Sequence, residues 1–276
     1  MITELNKDEF SKCKHLINSQ GQIEVKAVVG GINPARIFVD NRDYPNSGLI
    51  WLGNNDGFLF IGNEENNEFN RELNEFVDKV IVPEAQKIGL KWFEVMGNHP
   101  NWNKSIEKIF QHRHLGSWNQ RVYVLEEADY NQHTEPIIEQ EYSVHKISQS
   151  FYDENKDKYH NFPFLENRIL ESWSSIESFL NKGIGYVLVY EHTIVSVCIS
   201  GFVADNVHCI DIETLAEHQR KKLAQKLAHM FVKECLDKGM IPYWDCTEVN
   251  KPSIAVAENV GFKRQFNYVG YEFSLE

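Results

Sequence analysis

Three basic residues in succession, Arg220-Lys221-Lys222, open the run RKKLAQKLAHMF, in which Leu223, Leu227, Met230 and Phe231 recur at helical spacing. The preceding segment, IETLAEHQ from Ile212 to Gln219, reads as a strand end and a turn. A helix that begins near 219–224 leaves the N–H groups of its first turn without intrahelical partners, and its dipole places partial positive charge at that end. Such an end accepts an anion, and the added cations suit it to a pyrophosphate. Cations there oppose the dipole at a cost of roughly 0.3 kcal/mol or more each. A bound anion would offset that cost. On charge alone, a solvated basic helix edge remains the simpler reading.

The rest of the chain limits what such a site could serve. With 276 residues, 42% of them hydrophobic, the chain is long enough for two domains with packed cores. A formal net charge of -12 and a pI near 5.4 argue against nucleic acid or anionic lipid as partners, since both need phosphate neutralised by Lys and Arg. A cationic substrate would be attracted. No apolar run reaches the roughly 18 residues of a membrane span, and MITELNKDEFSKCKHL lacks the pattern of a signal peptide, so a cytoplasmic protein is expected. Cys13, Cys198, Cys209, Cys235 and Cys246 are odd in number and form no CxxC pair, which points to free thiols with neither disulfide nor metal.

Stepping outward from the basic turn, the elements fall into two sets. Between Val122 and His145 lie Glu126, Glu127, Asp129, Glu135, Glu139 and Glu141 with no Lys or Arg, a composition that reads as a connector. The expected organisation is an N-terminal domain over 1–125, an acidic connector over 126–141 and a C-terminal domain over 142–276. In the C-terminal domain the pattern predicts a strand at YSVHKIS and a helical region at PFLENRILESWSSIESFLNKG. A hairpin turning at Glu191-His192-Thr193 and the strand VHCIDIET precede the basic helix. The strand MIPYWDCTEV, a helix capped by Asn250 and stopped at Gly261, and two last strand segments complete it. In the N-terminal domain ARIFVD, GLIWLG and GFLFIG read as a three-strand meander, followed by a helix, the strand LKWFEVMG, a helix at NWNKSIEKIF and the strand QRVYVLE. Gly89 before LKWFEV parallels Gly239 before MIPYWDC at an offset of 150 residues, as two copies of one fold would. Trp51, Phe58, Phe60, Trp92 and Phe93 are expected in the first core, and Asn98 and His99 in a turn.

The run from Val207 to Phe262 resembles the core of the GNAT acetyltransferases. That family's phosphate loop reads Gln/Arg-x-x-Gly-x-Gly/Ala, matched here by Gln219, Lys222 and Ala224. Its later helix begins with Asn, has a small residue three positions on and ends in Gly-Phe, matched by Asn250, Ser253, Gly261 and Phe262. The strand order from about Tyr142 onward is also similar. RKKLAQKLA together with PYWDCTEVNKPSIAVAENVGF is most similar to the bacterial subgroup that includes the zwittermicin A resistance acetyltransferase. The resemblance implies a fold of the α/β (α+β mixed sheet) class, with a C-terminal GNAT fold after a degenerate N-terminal GNAT-like domain. The N-terminal counterpart, EFNRELNE, lacks the glycines and the basic cluster and is not expected to bind coenzyme A.

Further implications follow from the resemblance. Acetyl-CoA would lie where the strand ending at Thr214 splays from MIPYWDC. Backbone at Ile212 and Thr214 would pair with the pantetheine arm, while Gln219, Arg220, Lys221, Lys222, Leu223 and Ala224 would hold the pyrophosphate. Asn250 and Ser253 would contact the pantetheine or the phosphates. A small-molecule amine would attack the thioester directly, with no covalent enzyme intermediate and no metal, in a monomer or homodimer. An amine with a pKa of roughly 10 must first lose a proton, and Glu213 is the first candidate base, with Asp211 and His208 as rivals. Strand alternation puts Asp211 and Glu213 on one face and His208 on the other, unless a β-bulge intervenes. Two positions depart from the family pattern: Lys222 stands at the usual glycine, and Ala257 at a position often occupied by a Tyr that protonates the leaving thiolate. Ser253 or water would then supply that proton. Two other readings are a non-catalytic acyl-CoA-binding sensor and a transferase that takes aminoacyl groups from tRNA, the latter disfavoured by the acidic balance.

Overall fold

The computed structural model describes residues 1–53 and 57–276, which divide into two compact units. The first comprises Met1–Gln120 with Asn267–Glu276, and the second Arg121–Phe266. These differ from the expected boundaries at both ends of the C-terminal domain. Residues 267–276 pack with the first unit because Tyr271, Phe273 and Leu275, alternating as a strand requires, are buried in its core, where Phe273 stacks on Phe93 at 4.8 Å. The acidic stretch 126–141 belongs to the second unit and is fastened to it, as described below.

In the first unit the chain runs through β1 (Thr3–Glu4), α1 (Ile23–Val29), β2 (Ala35–Val39), β3 (Ser47–Leu52) and β4 (Gly57–Gly62). It continues through α2 (Asn67–Phe76), α3 (Val82–Lys87), β5 (Trp92–Gly97) and α4 (Trp102–Ile109), and reaches β6 (Gly116–Val124), which leads into the second unit. Strands β2, β3 and β4 form the expected antiparallel meander, and β5 runs parallel to β4. The single helix expected after β4 is α2 and α3 joined through a π turn at Val77–Ile81, just before Pro83 removes a backbone donor. Trp51, Phe58, Phe60 and Phe93 are buried as expected, whereas Trp92 is 45% exposed at the start of its strand.

The second unit contains the end of β6 and then β7 (Tyr142–Lys146), α5 (Gln149–Asn155), α6 (Phe162–Leu170), α7 (Ile176–Lys182), β8 (Gly185–Tyr190) and β9 (Thr193–Ala204). After these come β10 (Val207–Thr214), α8 (Leu223–Asp237), β11 (Ile241–Thr247), α9 (Lys251–Val260) and β12 (Lys263–Ser274), whose last part returns to the first unit. The helical stretch predicted after β7 breaks into α6 and α7, because Ser175 adopts extended backbone and caps α7 through the Ser178 N–H. The β8–β9 turn puts Glu191 and His192 at positive φ, as a tight hairpin turn demands. The two strand segments expected after Gly261 are one continuous strand. Among the described residues no helix is long and apolar enough to cross a membrane.

Sheet order in this unit is β11-β10-β9-β8-β7, with the end of β6 on the other side of β11. Helix α8 lies on one face, burying Leu223, Leu227, Phe231 and Val232 against Leu188, Cys198 and Ile210. Each such side chain contributes about 1.5–3 kcal/mol by leaving water. The acidic stretch is held at the ends of α8 and α9. The Asn131 N–H donates to the Val260 carbonyl at 3.0 Å, Gln225 Nε2 donates to the Thr134 carbonyl at 2.7 Å, and Lys226 pairs with Glu135 at 2.5 Å. Gly261 makes this crossing possible: its φ is +117°, and a Cβ there would lie 2.1 Å from the Asp129 carbonyl.

Candidate active site

The parallel ladder between β10 and β11 spans Val207↔Ile241, His208↔Pro242 and Cys209↔Tyr243, after which β10 continues to Thr214 against β9 alone. Its cause lies on the other side of β10, where the β9 register shifts between Phe202 and Ser200 so that Gly201 is an extra residue. Such a bulge bends a strand and increases its twist. Because the extra residue belongs to β9, the alternation along β10 survives. The Leu215 N–H donates to the Val195 carbonyl at 2.9 Å, on the β9 side. Antiparallel alternation therefore turns the backbone groups of Ile212 and Thr214 to the edge that β11 has left. On that edge the Thr214 carbonyl accepts from Gln219 Nε2 at 3.1 Å, folding the Gln219 side chain back onto the strand end.

Helix α8 starts without a side-chain cap and without an acidic residue in its first turn. Its N-cap position, Lys222, has φ 62° and ψ 18°, and Arg220 also has φ 62°. Two non-glycine residues in the left-handed region so close together are unusual, at roughly 1–3 kcal/mol of strain each, and explain why glycine suits this loop. The same local geometry turns successive backbone N–H groups inward as an anion-binding concavity. Arg220 and Lys222 are exposed and have no ion-pair partner among the described residues. Lys221 is engaged: its Nζ donates to Tyr142 Oη at 2.8 Å, lies 5.2 Å from that ring's centroid and 3.9 Å from Glu139. It ties the loop to β7. Leu223 is buried in the core, and Ala224 is half-buried at the second helical position.

At the head of α9, Asn250 Oδ1 accepts from the Ser253 N–H at 3.1 Å, so the Asn caps its helix. Ser253 Oγ accepts from the Trp244 indole at 2.9 Å, and the Ser253 side chain also hydrogen-bonds with Cys246. Ala257 is fully buried among Trp244, Cys246 and Phe262 in the core.

The three candidate bases separate by face and by partner. His208 is 2% exposed, on the face toward α8, and its Nδ1 bonds to Ser200 Oγ at 2.9 Å. Burial pushes its pKa down to about 4, with the Lys238 charge adding to the effect. It is not placed for proton transfer at the open edge. Asp211 and Glu213 share the opposite face, where Arg168 of α6 reaches both. Its Nη2 contacts both oxygens of Asp211, Oδ2 at 2.6 Å, while Nε lies 3.3 Å from Glu213 Oε2 and Nη1 2.6 Å from Glu171 Oε2. Burial raises the Asp211 pKa against the opposing pull of Arg168, and burial likewise raises Glu171. Side-chain exposure is 22% for Arg168, 30% for Asp211 and 43% for Glu213, so of the two strand carboxylates Glu213 is the more open to solvent. Asp211 is the one locked in place.

Arg168 was not among the residues singled out from the sequence. It is the one cation between Phe162 and Asn181, within a helix otherwise apolar toward the sheet, and that isolation was the available signal. Its partners come from a strand more than forty residues later, which spacing alone does not show. Among the described residues no group of three or more His, Cys, Asp or Glu is disposed to hold a metal.

A family model described as GNAT acetyltransferase matches residues 14–271. The chain belongs to this family. As a GNAT acetyltransferase it is an N-acetyltransferase, of a family that uses acetyl-CoA in general. It is similar, at 24% identity over 272 residues and 98% of both chains, to the uncharacterized N-acetyltransferase YdfB of Bacillus subtilis. Its fold is similar to that of a GCN5-related N-acetyltransferase-like protein from Streptococcus suis, with a TM-score of 0.70, 18% identity, and 96% of this chain and 98% of that one covered. A tandem GNAT protein from the clavulanic acid biosynthesis pathway has a TM-score of 0.61 at 10% identity, covering 100% of this chain and 99% of that one. The mixed α/β fold of two GNAT-like units is thus shared with solved structures.

Proposed function

We propose that this acetyltransferase moves the acetyl group of acetyl-CoA directly onto a primary amine of a small molecule, with Glu213 as the base. The observation that carries the reading is the opening of β10 from β11 beyond Cys209, with Glu213 on the exposed stretch and the uncapped N-terminus of α8 at its end. The residues present fit the donor. Backbone at Ile212 and the Thr214 N–H, on the edge that β11 has left, suits an extended pantetheine arm, and the turn from Arg220 to Ala224 suits the pyrophosphate. Asn250 supports this wall chiefly as a helix cap, and Lys221 by holding the loop to Tyr142.

Acetyl-CoA would supply a thioester whose acyl carbon accepts the amine. Glu213 takes the proton that an ammonium must shed, from a position beside Arg168 and open to solvent. The nitrogen lone pair then forms the new bond to the acyl carbon as the carbon–sulfur bond breaks. The second proton, which the nitrogen sheds on becoming an amide, goes to the leaving sulfur through water or through a relay at Ser253, whose side chain also meets the Trp244 indole and the Cys246 thiol. Cys198, Cys235 and Cys246 are not suited to carry the acyl group: burial pushes their thiols up, so little thiolate forms near neutral pH.

The test is thiol release from acetyl-CoA across polyamines, aminoglycosides, amino acids and aminopolyols, the last included because of the likeness to the zwittermicin A resistance subgroup. At least one acceptor should support turnover, and Glu213→Gln should lower kcat by about 10²–10⁴-fold. Wild-type turnover in Glu213→Gln at neutral pH would remove the base assignment. A second reading, an acyl-CoA-binding sensor without turnover, is favoured by the buried Ala257 where the family often has an acid. Selective stabilisation by acetyl-CoA with no thiol release from any acceptor would establish it instead.

A further inference from the structure

We infer that Arg168 is a positioning residue for the transfer step, a guanidinium clamp that holds the two carboxylates of β10 side by side and keeps Glu213 beside the open strand edge. The inference rests on the acyl-transfer reading above, since it assigns Arg168 a task in that reaction. Asp211 and Glu213 are two residues apart on one strand, so their side chains emerge on the same face roughly 6–7 Å apart. Each of two carboxylates at that distance disfavours ionisation of the other, and a cation between them offsets the repulsion. Arg168 is that cation, and its contacts are unequal. One nitrogen is committed to both oxygens of Asp211, another to Glu171, and only the Nε faces Glu213, at the longer distance of 3.3 Å.

That inequality assigns the parts. Asp211 fixes the guanidinium by hydrogen bonds, and its Nε then lies beside Glu213 as an ion-pair contact at 3.3 Å. Glu213 is thereby drawn toward the guanidinium by charge without being immobilised, as a group that must receive and release a proton requires. A lysine would hold one carboxylate and lose the direction toward the other. The groups that face the pair are few. Arg168 comes from α6 and Glu171 from just beyond it, the buried Cys198 thiol lies on β9 and feels the Asp211 charge, and the Ile212 N–H on β10 bonds to the Asp211 carboxylate. His208 points to the other face. A Cβ at Gly201 on β9 would come 3.3 Å from the Asp211 Cβ, so that strand too packs closely on the locked carboxylate and not on the open one.

The experiment compares wild type, Arg168→Gln and Arg168→Lys as full chains. Thiol release with the best acceptor is measured from pH 5.5 to 9.5, the acetyl-CoA Kd by titration calorimetry, and the side-chain carboxyl carbons are titrated by NMR. Arg168→Gln should lower kcat at pH 7 by about 10-fold or more while shifting the acid limb of kcat/KM upward by about one pH unit. The acetyl-CoA Kd should stay within about three-fold. Arg168→Lys should restore most of the limb position but only part of kcat, because charge returns and geometry does not. An unmoved acid limb in both variants, or equal kcat losses with the limb unmoved, would overturn the clamp. If wild type turns over no acceptor, the acyl-transfer reading falls by itself. The NMR midpoints of the Asp211–Glu213 pair still decide the clamp, which stands if they rise by about one unit in Arg168→Gln and falls if they do not.

Discussion

Each unit contains a parallel strand pair joined through a helix, and the two pairs end in opposite ways. In the first unit β4 and β5 pair through Gly57↔Glu94, Phe58↔Val95, Leu59↔Met96 and Phe60↔Gly97. The closure continues past the strands: the Asn98 N–H donates to the Phe60 carbonyl at 2.9 Å, and His99 Nε2 bonds the Gly62 carbonyl at 2.9 Å. In the second unit the β10/β11 ladder stops at Cys209↔Tyr243, short of Ile212 and Thr214. The helix starts differ in the same sense. Asn66 caps α2 by accepting from the Phe69 N–H, with Glu68 in the first turn, whereas α8 has neither a cap nor an acid and enters through left-handed Lys222. The first unit satisfies its own strand edge and helix dipole, whereas in the second the Ile212 backbone edge lies beyond the ladder and α8 starts without a cap.

The sharpest way to break this contrast is to complete the second site from within. Ala224→Asp places a carboxylate at the second position of α8, where it favours the dipole of the free protein by about 0.3–1 kcal/mol and repels a pyrophosphate. Acetyl-CoA affinity should fall by about 100-fold, roughly 2.7 kcal/mol, with the melting temperature unchanged or raised. Calorimetry on wild type should give one acetyl-CoA per chain, and Glu68→Ala should leave both affinity and stoichiometry unchanged. A second equivalent of ligand in either protein, or wild-type affinity in Ala224→Asp, would end the comparison.

Next in size is damage to the closed pair. A Cβ at Gly97 would meet the Trp102 Cβ at 2.2 Å and the His99 carbonyl at 2.9 Å. Gly97→Ala should therefore destabilise the first unit by about 1–3 kcal/mol, read in urea unfolding, and leave the acetyl-CoA Kd as it was. A weakened Kd would mean that the first unit contributes to donor binding.

His208 tests which face of β10 does chemistry. Its folded pKa of about 4 lies below the ordinary value of 6.5, because burial disfavours the charged ring. The unfolded chain therefore takes up this proton first as pH falls. The stability tied to the neutral ring is complete above about pH 6.5 and is lost progressively as pH falls through about 4. His208→Gln, which can keep a bond to Ser200, should flatten that part of the melting-temperature profile and leave kcat within about three-fold of wild type. A large loss of kcat would return His208 to the list of bases.

Much of this contrast was legible beforehand, for reasons particular residues make plain. The hairpin at Glu191-His192, the stop at Gly239 and the strand–turn–helix around Lys222 are short-range features, set by backbone preference and periodicity, and they lie where the pattern placed them. What spacing did not reveal depends on partners distant along the chain. The acidic stretch reads as a connector by composition, yet Gly261 admits its close passage and Lys226 neutralises Glu135. The last strand exchanges into the first unit because its apolar alternation meets Phe93 there. Asn250 reads as a helix cap from its place in the sequence, as its bond to the Ser253 N–H shows, but only the contacts reveal the indole bond that engages Ser253. Arg168 was invisible for the same reason, its carboxylate partners being far along the sequence.

The smallest effect concerns the residue at which the loop departs from the family. Lys222 adopts φ 62° and ψ 18°, a region that costs an L-residue about 1–2 kcal/mol and glycine nothing. Lys222→Gly relieves that strain, but a glycine also returns about 0.5–1 kcal/mol of entropy to the unfolded chain. The net gain in stability should stay below about 1.5 kcal/mol. For binding, the substitution keeps every backbone N–H of the cradle and removes one exposed ammonium, whose attraction to a phosphate across solvent is about 0.2–1 kcal/mol. Acetyl-CoA affinity should accordingly weaken by about five-fold or less, with a shallower dependence on salt. A ten-fold or greater loss would show that the side chain, and not the backbone turn, holds the pyrophosphate. The open unit would then differ from the closed one by a charge it has added, as well as by the cap it lacks.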